Sequence, residues 1–405
     1  MGVPVRFEVS KVLDAIEARL TTDPAMARAV VDLSEVARYA DLDGGRPASL
    51  LRLGLVIDAL GRHVAEEEVP VYAVAPRALL SDADLTSNER MVVRRWADDG
   101  VVEVVPELDD RVLEVAELIG LPVLSRSRAE QFRDRRPWVD EPGRLLAAVP
   151  GAGGPVLVAR VGRGEVPAVG EPSPMGAKLL ARVWRCPESN CSNFGGGDSD
   201  SPFADMRKLT SPVAQPPPTL KAGVPTCPRH GTRLSDAGPR PAVEVLSVRI
   251  DDVIRRRFVV SADKPVVVGR APGSSDSPRG PKDQAPVAGT APEGGDGVML
   301  GQWLTDDARK WISRGHARFA LDGEDLTVQD VSTNGTGIRP GGSDDDDQRI
   351  TLDRGEVRKL DPDDVVELYA GVNVGRARLW ASGGVSQPNS VMAEAPTMAI
   401  RKFER

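Results

Sequence analysis

The hydrophobic pattern of this 405-residue chain changes period along its length, and that change limits how the chain can fold. From Ala29 to about Pro137, short apolar runs alternate with helix-length amphipathic stretches, the order expected of a parallel sheet flanked by helices. Strands are expected at Ala29 to Leu33, Val69 to Ala75, Val101 to Val105 and Leu121 to Ser125. Helices are expected near Ser49 to Glu66, Asn88 to Asp98 and Asp110 to Gly120. From Ala242 onward the pattern becomes short strands at regular spacing: Ala242 to Ile250, Arg257 to Ser261, Val266 to Gly269, His316 to Leu321, Leu326 to Asp330 and Arg376 to Trp380. That spacing predicts an all-β sandwich. A chain of this length usually divides into several cores.

The stretch between the two patterns divides again. Residues 141 to 180 are rich in Gly, Pro, Ala and Val without a sustained period, which fits either a linker or a small appended β-hairpin. Residues 181 to 235 carry all three cysteines, with a Gly/Asp/Ser/Pro-rich loop from Gly195 to Pro202 between them. Residues 271 to 297 and the tail 382 to 405 are poor in apolar side chains, and are expected to be a disordered insert and a flexible tail. The expected fold class is multidomain. An α/β domain spans 1 to 140, a linker or β appendage 141 to 180, a small zinc-binding module 181 to 235, and an all-β sandwich 241 to 381.

A formal net charge of −8 argues against coating nucleic acid by charge alone. The start of the chain lacks a basic region followed by an apolar run, and no stretch is apolar for the length needed to span a bilayer. A cytoplasmic protein with no membrane partner is the expectation. The cysteines are too few for a disulfide scaffold, which fits a reducing compartment. They fall into two short pairs with one of the three histidines: Cys186 with Cys191, and Cys227 with His230. Each pair brings two soft or borderline donors onto one turn, matching a closed Cys₃His set for structural Zn²⁺.

Three pieces recur in the β-rich region. Gly269 and Arg270 end an apolar strand, Ser313, Arg314, Gly315 and His316 enter the next strands, and Asn334, Gly335 and Thr336 follow Asp330, Val331 and Ser332. In isolation each piece is an ordinary hairpin device. In this order they resemble the forkhead-associated (FHA) family, in which the loops at one end of a sandwich hold a phosphothreonine peptide.

The chemistry agrees with the resemblance. A phosphothreonine carries close to two negative charges and three strong acceptor oxygens, so it needs a planar cation and short hydroxyl or amide donors. Arg270 and Arg314 supply charge and Ser313 a hydroxyl, while Asn334 suits clamping of the ligand main chain and Gly335 permits a tight turn. The resemblance implies Arg270, Ser313, Arg314, Thr333 and Asn334 as phosphopeptide contacts, with Gly269, His316 and Gly335 structural. The sequence departs from the family in the long gap between Arg270 and Ser313, which holds the insert, Trp303 and Trp311. The acidic run Asp344 to Asp347 reads as a solvated hairpin tip.

Near the end stands Thr397, followed at the third position by Ile400, a spacing that resembles FHA ligands with a large aliphatic there. Thr397 is a candidate phosphorylation site. The flexible stretch from Ala381 would have a span of about 20 Å, enough to let the protein read its own tail.

The segment Val30 to Ala37, the helix beginning near Ser49, and Pro122 to Arg128 resemble the NYN branch of PIN-like ribonucleases, over about residues 28 to 138. In that family acidic residues at strand ends hold Mg²⁺ or Mn²⁺ for phosphodiester hydrolysis. Carried over singly, Asp32 matches the first acidic position, and Asp109 or Asp110 an acidic position at the start of a later helix. Glu35 stands where an asparagine is usual, and Ala75 and Ser127 where acids are usual. Loss of carboxylates removes both ion binding and activation of water, which favours a non-catalytic domain.

The sequence is read as a signalling adaptor. An FHA domain recognises a threonine-phosphorylated partner or its own tail downstream of a Ser/Thr kinase, a zinc knuckle acts as spacer, and the PIN-like domain gives a second interaction surface. The domain combination resembles actinobacterial proteins. The alternative is a metal-dependent ribonuclease, with RNA as substrate, targeted by the FHA domain and using Asp32, Glu35 and Asp110.

Overall fold

The computed structural model describes residues 5–108, 110–160, 171–189, 191–195, 215–272, 297–341 and 349–380. They fall in two compact units, Met1–Arg240 and Pro241–Ala381. Among the described residues no helix is long and apolar enough to cross a membrane.

The first unit runs α1 (Val5–Glu17), β1 (Val30–Asp32), α2 (Leu33–Val36), α3 (Leu51–Val64), β2 (Tyr72–Pro76), α4 (Ser87–Asp98), β3 (Val102–Val105), α5 (Arg111–Ile119), β4 (Val123–Leu124), β5 (Leu145–Val149) and β6 (Val156–Ala159). The sheet order is β3-β2-β1-β4-β5-β6, parallel except for the β5–β6 pair. Local chemistry sets the helix ends. Thr86 and Glu89 form a reciprocal capping box at the start of α4, and Gly120 (φ +74°) ends α5 in the left-handed conformation.

Strand side chains alternate between two cores. Val31, Ala73, Ala75 and Leu124 face the layer of α1, α3 and α4, while Val30, Tyr72, Val74 and Val123 face α5. The four expected strands and three expected helices are present, with shorter strands. Helix α1 was not among the expected elements. Of the stretch expected as a linker or an appended hairpin, Leu145–Val149 pairs with β4 and Val156–Ala159 returns antiparallel to it, so that a hairpin extends the sheet.

The cysteine-bearing segment contributes α6 (Pro174–Leu180), β7 (Arg182–Arg185), β8 (Thr219–Lys221), β9 (Val224–Thr226) and β10 (Ser235–Pro239), with β7 paired to β10 and β8 to β9. It is not the spacer expected from sequence. Leu179, Trp184, Phe194 and Leu234 share one buried cluster with Val115, Ala116, Leu118 and Ile119 of α5. The physical reason is size: so small a segment cannot bury a sufficient core alone and uses the sheet's α5 face.

The second unit is a β-sandwich. Its strands are β11 (Val243–Ile250), β12 (Val253–Ser261), β13 (Val266–Gly269), β14 (Gly297–Met299), β15 (Ala317–Asp322), β16 (Asp325–Asp330), β17 (Thr336–Arg339), β18 (Ile350–Leu352), β19 (Val357–Lys359), β20 (Val365–Tyr369) and β21 (Val372–Arg376), with α7 (Asp306–Trp311) before β15. One sheet has the order β12-β11-β21-β20-β17-β18, the other β14-β13-β15-β16-β19. Between them Leu246, Val248, Val268, Phe319, Val328, Ile338, Val366 and Val374 are buried together. Strand β16 shows the underlying alternation, with Leu326, Val328 and Asp330 inward.

Two boundaries differ from expectation. The last strand ends at Arg376, and Ala377–Trp380 is a 3₁₀ turn whose Trp380 ring lies over Gly375. Gly297, expected to close the disordered insert, begins β14, parallel to β13. The rest of that insert (273–296), the acidic run 344–347 and the tail with Thr397 lie outside the described residues, as does Asp109.

Candidate functional site

Strand β15 is antiparallel to both β13 and β16, so the end of β13, the start of β15 and the end of β16 meet at one edge of the sandwich. The three sequence pieces lie there. Gly269 is required by close approach, because a Cβ at that position would stand 2.0 Å from the Arg314 carbonyl oxygen. The neighbouring backbone is laced to the β15 entry: Arg270 N–H donates to Ser313 O (3.0 Å), Ala271 N–H to Arg314 O (3.1 Å) and His316 N–H to Val268 O (2.8 Å). Arg270 is thereby set beside Ser313.

The loop after β16 is built on buried acceptors. Asp330 Oδ1 accepts from Ser332 N–H (2.7 Å) and from the Thr336 hydroxyl (3.0 Å), and Ser332 Oγ accepts from the N–H groups of Asn334 (3.3 Å) and Gly335 (2.9 Å). Gly335, at φ +85°, takes the left-handed turn that this loop needs. Thr333 and Asn334 are consequently presented on the surface.

The two loops are tied by side chains. Thr333 N–H donates to Ser313 Oγ at 3.2 Å, and the two hydroxyl oxygens lie 3.3 Å apart. His316 is fully buried, accepting at Nδ1 from Ser313 N–H (3.1 Å) while Nε2 lies 3.2 Å from Gly335 O. Those partners assign a neutral ring with its proton on Nε2. Burial pushes its pKa below the ordinary histidine value, against the opposing pull of Gly335 O and Asp330.

Asn334 Nδ2 donates to Trp311 O at 2.6 Å, and one Arg270 guanidinium nitrogen donates to Arg309 O at 3.0 Å. Arg314 is exposed at the same edge. Two hydroxyls, a guanidinium and a carboxamide therefore gather at one rigid edge, a donor set suited to an oxyanion on a peptide. Sequence reasoning missed Asp330, Ser332 and Trp311 as supports. The short-range signal for the first two was the Asp-x-Ser spacing typical of side chain to backbone turns.

In the α/β unit the sheet order reverses between β1 and β4, the place where open α/β sheets form their crevice. Asp32, at the end of β1, caps α2 by accepting from Glu35 N–H (3.0 Å) and the Ser34 hydroxyl (2.7 Å), and burial raises its pKa. Glu35 is held by three donors: its carboxylate accepts from the hydroxyls of Tyr39 and Ser125 (both 2.6 Å) and from Arg126 N–H (2.8 Å). Asp110 is paired with Arg136 at 2.8 Å. These carboxylates are held by internal donors, and among the described residues they form no cluster of three that could hold an ion. As described, Asp32, Glu35 and Asp110 do not assemble an oxygen-ligand set for Mg²⁺ or Mn²⁺.

Among the described residues, the group with ion-holding geometry is Cys186, Cys191, Cys227 and His230, whose donor atoms all lie within 4.8 Å of one another. All three cysteines are buried and unbridged.

No family model matches the chain, and no curated relative matches it. Solved structures similar to it include the FHA domain of human APLF in complex with an XRCC1 bisphospho peptide, at 19% identity over 32% of this chain and 96% of that one, with a TM-score of 0.21. The FHA domain of CT664 protein from Chlamydia trachomatis is similar at 18% identity over 33% of this chain and 94% of that one, TM-score 0.20. The MEK1 FHA domain is 20% identical over 33% of this chain and 86% of that one, also at TM-score 0.20.

Proposed function

We propose that the β-sandwich unit is an FHA-type module that binds a phosphothreonine-containing peptide, and that the protein is a signalling adaptor in a Ser/Thr-kinase pathway. One observation carries the reading. The hydroxyls of Ser313 and Thr333 come from loops on either side of β15 and β16 yet lie 3.3 Å apart at the edge that also carries Arg270.

In this reading the Arg270 guanidinium and the two hydroxyls take the phosphate oxygens, and Arg314 adds charge at the rim. Asn334, fixed through Trp311 O, takes the peptide main chain. His316 and Gly335 hold the loops, and Gly269 permits their approach. The α/β unit, whose segment resembles PIN-like nucleases, serves as a second interaction surface, because Glu35 and Asp110 are already committed to internal partners. Thr397, outside the described residues, is the candidate for an internal ligand once phosphorylated.

The test is a display of phosphothreonine and matched unmodified peptides, the Thr397 tail among them, against the full chain. Capture that requires the phosphate supports the module. Capture of the tail peptide supports self-recognition, and selection of other sequences points to an external partner. No phosphate-dependent capture across the library would overturn the reading.

A further inference from the structure

We propose that Cys186, Cys191, Cys227 and His230 bind one Zn²⁺, and that this ion fastens the α6–β10 segment onto the α5 face of the sheet. Metal and α/β unit then fold as one block.

The distances match a tetrahedral ion. Zinc bonds of about 2.3 Å to sulfur and about 2.0–2.1 Å to nitrogen give tetrahedral edges of about 3.8 Å between sulfurs and about 3.6 Å between sulfur and nitrogen. Cys191 Sγ and Cys227 Sγ are 3.8 Å apart, and His230 Nδ1 is 3.5 Å from Cys186 Sγ and 3.6 Å from Cys227 Sγ. A disulfide needs about 2.05 Å, so Cys191 and Cys227 are not bonded to each other.

The backbone around the ligands is shaped for this purpose. Cys227 and His230 share a tight turn closed by Gly231 N–H donating to Cys227 O (2.8 Å), and a second turn opens at Cys191, where Gly195 N–H donates to Cys191 O (2.9 Å). Phe194 N–H points at Cys191 Sγ from 3.3 Å, and the Thr232 hydroxyl lies 3.4 Å from Cys186 Sγ. Both are donors that a metal-bound thiolate accepts. Four protein ligands close the coordination sphere, which makes the role structural.

The coupling to the sheet rests on separate contacts. Buried Arg111 of α5 is paired with buried Glu103 of β3 at 2.6 Å, and it reaches across to the cysteine segment, donating to Pro217 O (2.5 Å) and Pro218 O (3.4 Å). Glu114, also on α5, accepts from Leu220 N–H (2.9 Å) and the Thr219 hydroxyl (3.1 Å). Gly176 of α6 packs so closely that a Cβ there would lie 1.8 Å from Leu118 O. Releasing the segment would strip a buried guanidinium of two acceptors and uncover the apolar face of α5.

The experiment uses the full chain. Elemental analysis of the purified protein is expected to give one zinc per chain. Hydrogen exchange before and after treatment with a strong zinc chelator is expected to show lost protection in Arg111–Ile119 and Thr219–Thr226, with β11 to β21 unchanged. Cys227→Ser should lose the metal and reproduce that pattern. His230→Cys keeps four tetrahedral donors and should retain both metal and protection, which separates ligation from a general folding defect. Protein that neither carries zinc nor takes up one equivalent when Zn²⁺ is added would overturn the site. Bound zinc whose removal leaves α5 protection intact would overturn the coupling.

Discussion

Ser313 Oγ and Thr333 Oγ1 lie 3.3 Å apart across twenty positions of sequence, and Thr333 N–H donates to Ser313 Oγ at 3.2 Å. A hydroxyl held in place before ligand arrives loses little freedom on binding, so its bond to an incoming phosphate is pre-organised.

Ser313→Ala is expected to weaken phosphopeptide binding by roughly 10- to 150-fold, the range given by about 1.5–3 kcal/mol for a hydrogen bond to a charged group. Fluorescence polarisation with a selected peptide reads the loss, and an unchanged circular dichroism spectrum shows that the unit remains folded.

His316 links pH to the same loops. Its pKa is lowered in the folded protein, chiefly by burial, so the folded state binds fewer protons than the unfolded chain as pH falls below the ordinary value of about 6.5. The histidine contribution to stability is present above that pH and declines as pH falls through the folded pKa. A proton on Nδ1 would also face the Ser313 N–H. Urea melts followed through a probe in the sandwich unit should show lower stability at pH 5 than at pH 7.5. His316→Gln should be less stable at pH 7.5 by about 1–3 kcal/mol and should lack the histidine part of the pH dependence.

Gly269→Ala tests the close approach of the first two loops. With a Cβ 2.0 Å from Arg314 O, the backbone of one loop must move, and both Arg270 and Ser313 are displaced. Loss of stability by at least about 2 kcal/mol is expected, together with loss of phosphopeptide binding. Binding at wild-type affinity would show that the two loops are not rigidly coupled.

Glu35→Gln separates structure from chemistry in the α/β unit. The Glu35 carboxylate accepts from Tyr39, Ser125 and Arg126, so the variant is expected to be less stable by about 1–3 kcal/mol in a denaturant melt. Incubation of structured RNA with the wild-type protein and Mn²⁺ is expected to give no cleavage. Cleavage that Asp32→Ala abolishes would restore the nuclease reading.

Local period carried most of the fold. The alternation in Leu326 to Asp330 and the amphipathic run in Leu51 to Val64 are each readable within one element, because the burial they encode repeats every two or 3.6 residues. The loop edge was readable for a related reason: Gly269, Ser313, His316 and Asn334 are short motifs at strand ends, and antiparallel pairing brings strand ends together.

What stayed hidden depends on long-range partners. Nothing near Arg111 in sequence indicates that it bonds to Pro217 and Pro218, so the cysteine segment read as a spacer rather than a cover for α5. Leu145 to Val149 carries no alternation because both of its faces are buried at the sheet, so a short apolar run among glycines and prolines left a linker and an appended hairpin equally open. Glu35 read as a possible ion ligand because a sequence does not show that three internal donors hold its carboxylate.

The central claim is tested most directly by calorimetric titration of the full chain with one library-selected phosphothreonine peptide, its unmodified counterpart, and the Arg270→Ala protein. Micromolar binding of the phosphopeptide, none of the unmodified peptide, and at least a tenfold loss in Arg270→Ala are expected. Equal binding of both peptides, or wild-type affinity in a folded Arg270→Ala protein, would contradict the claim.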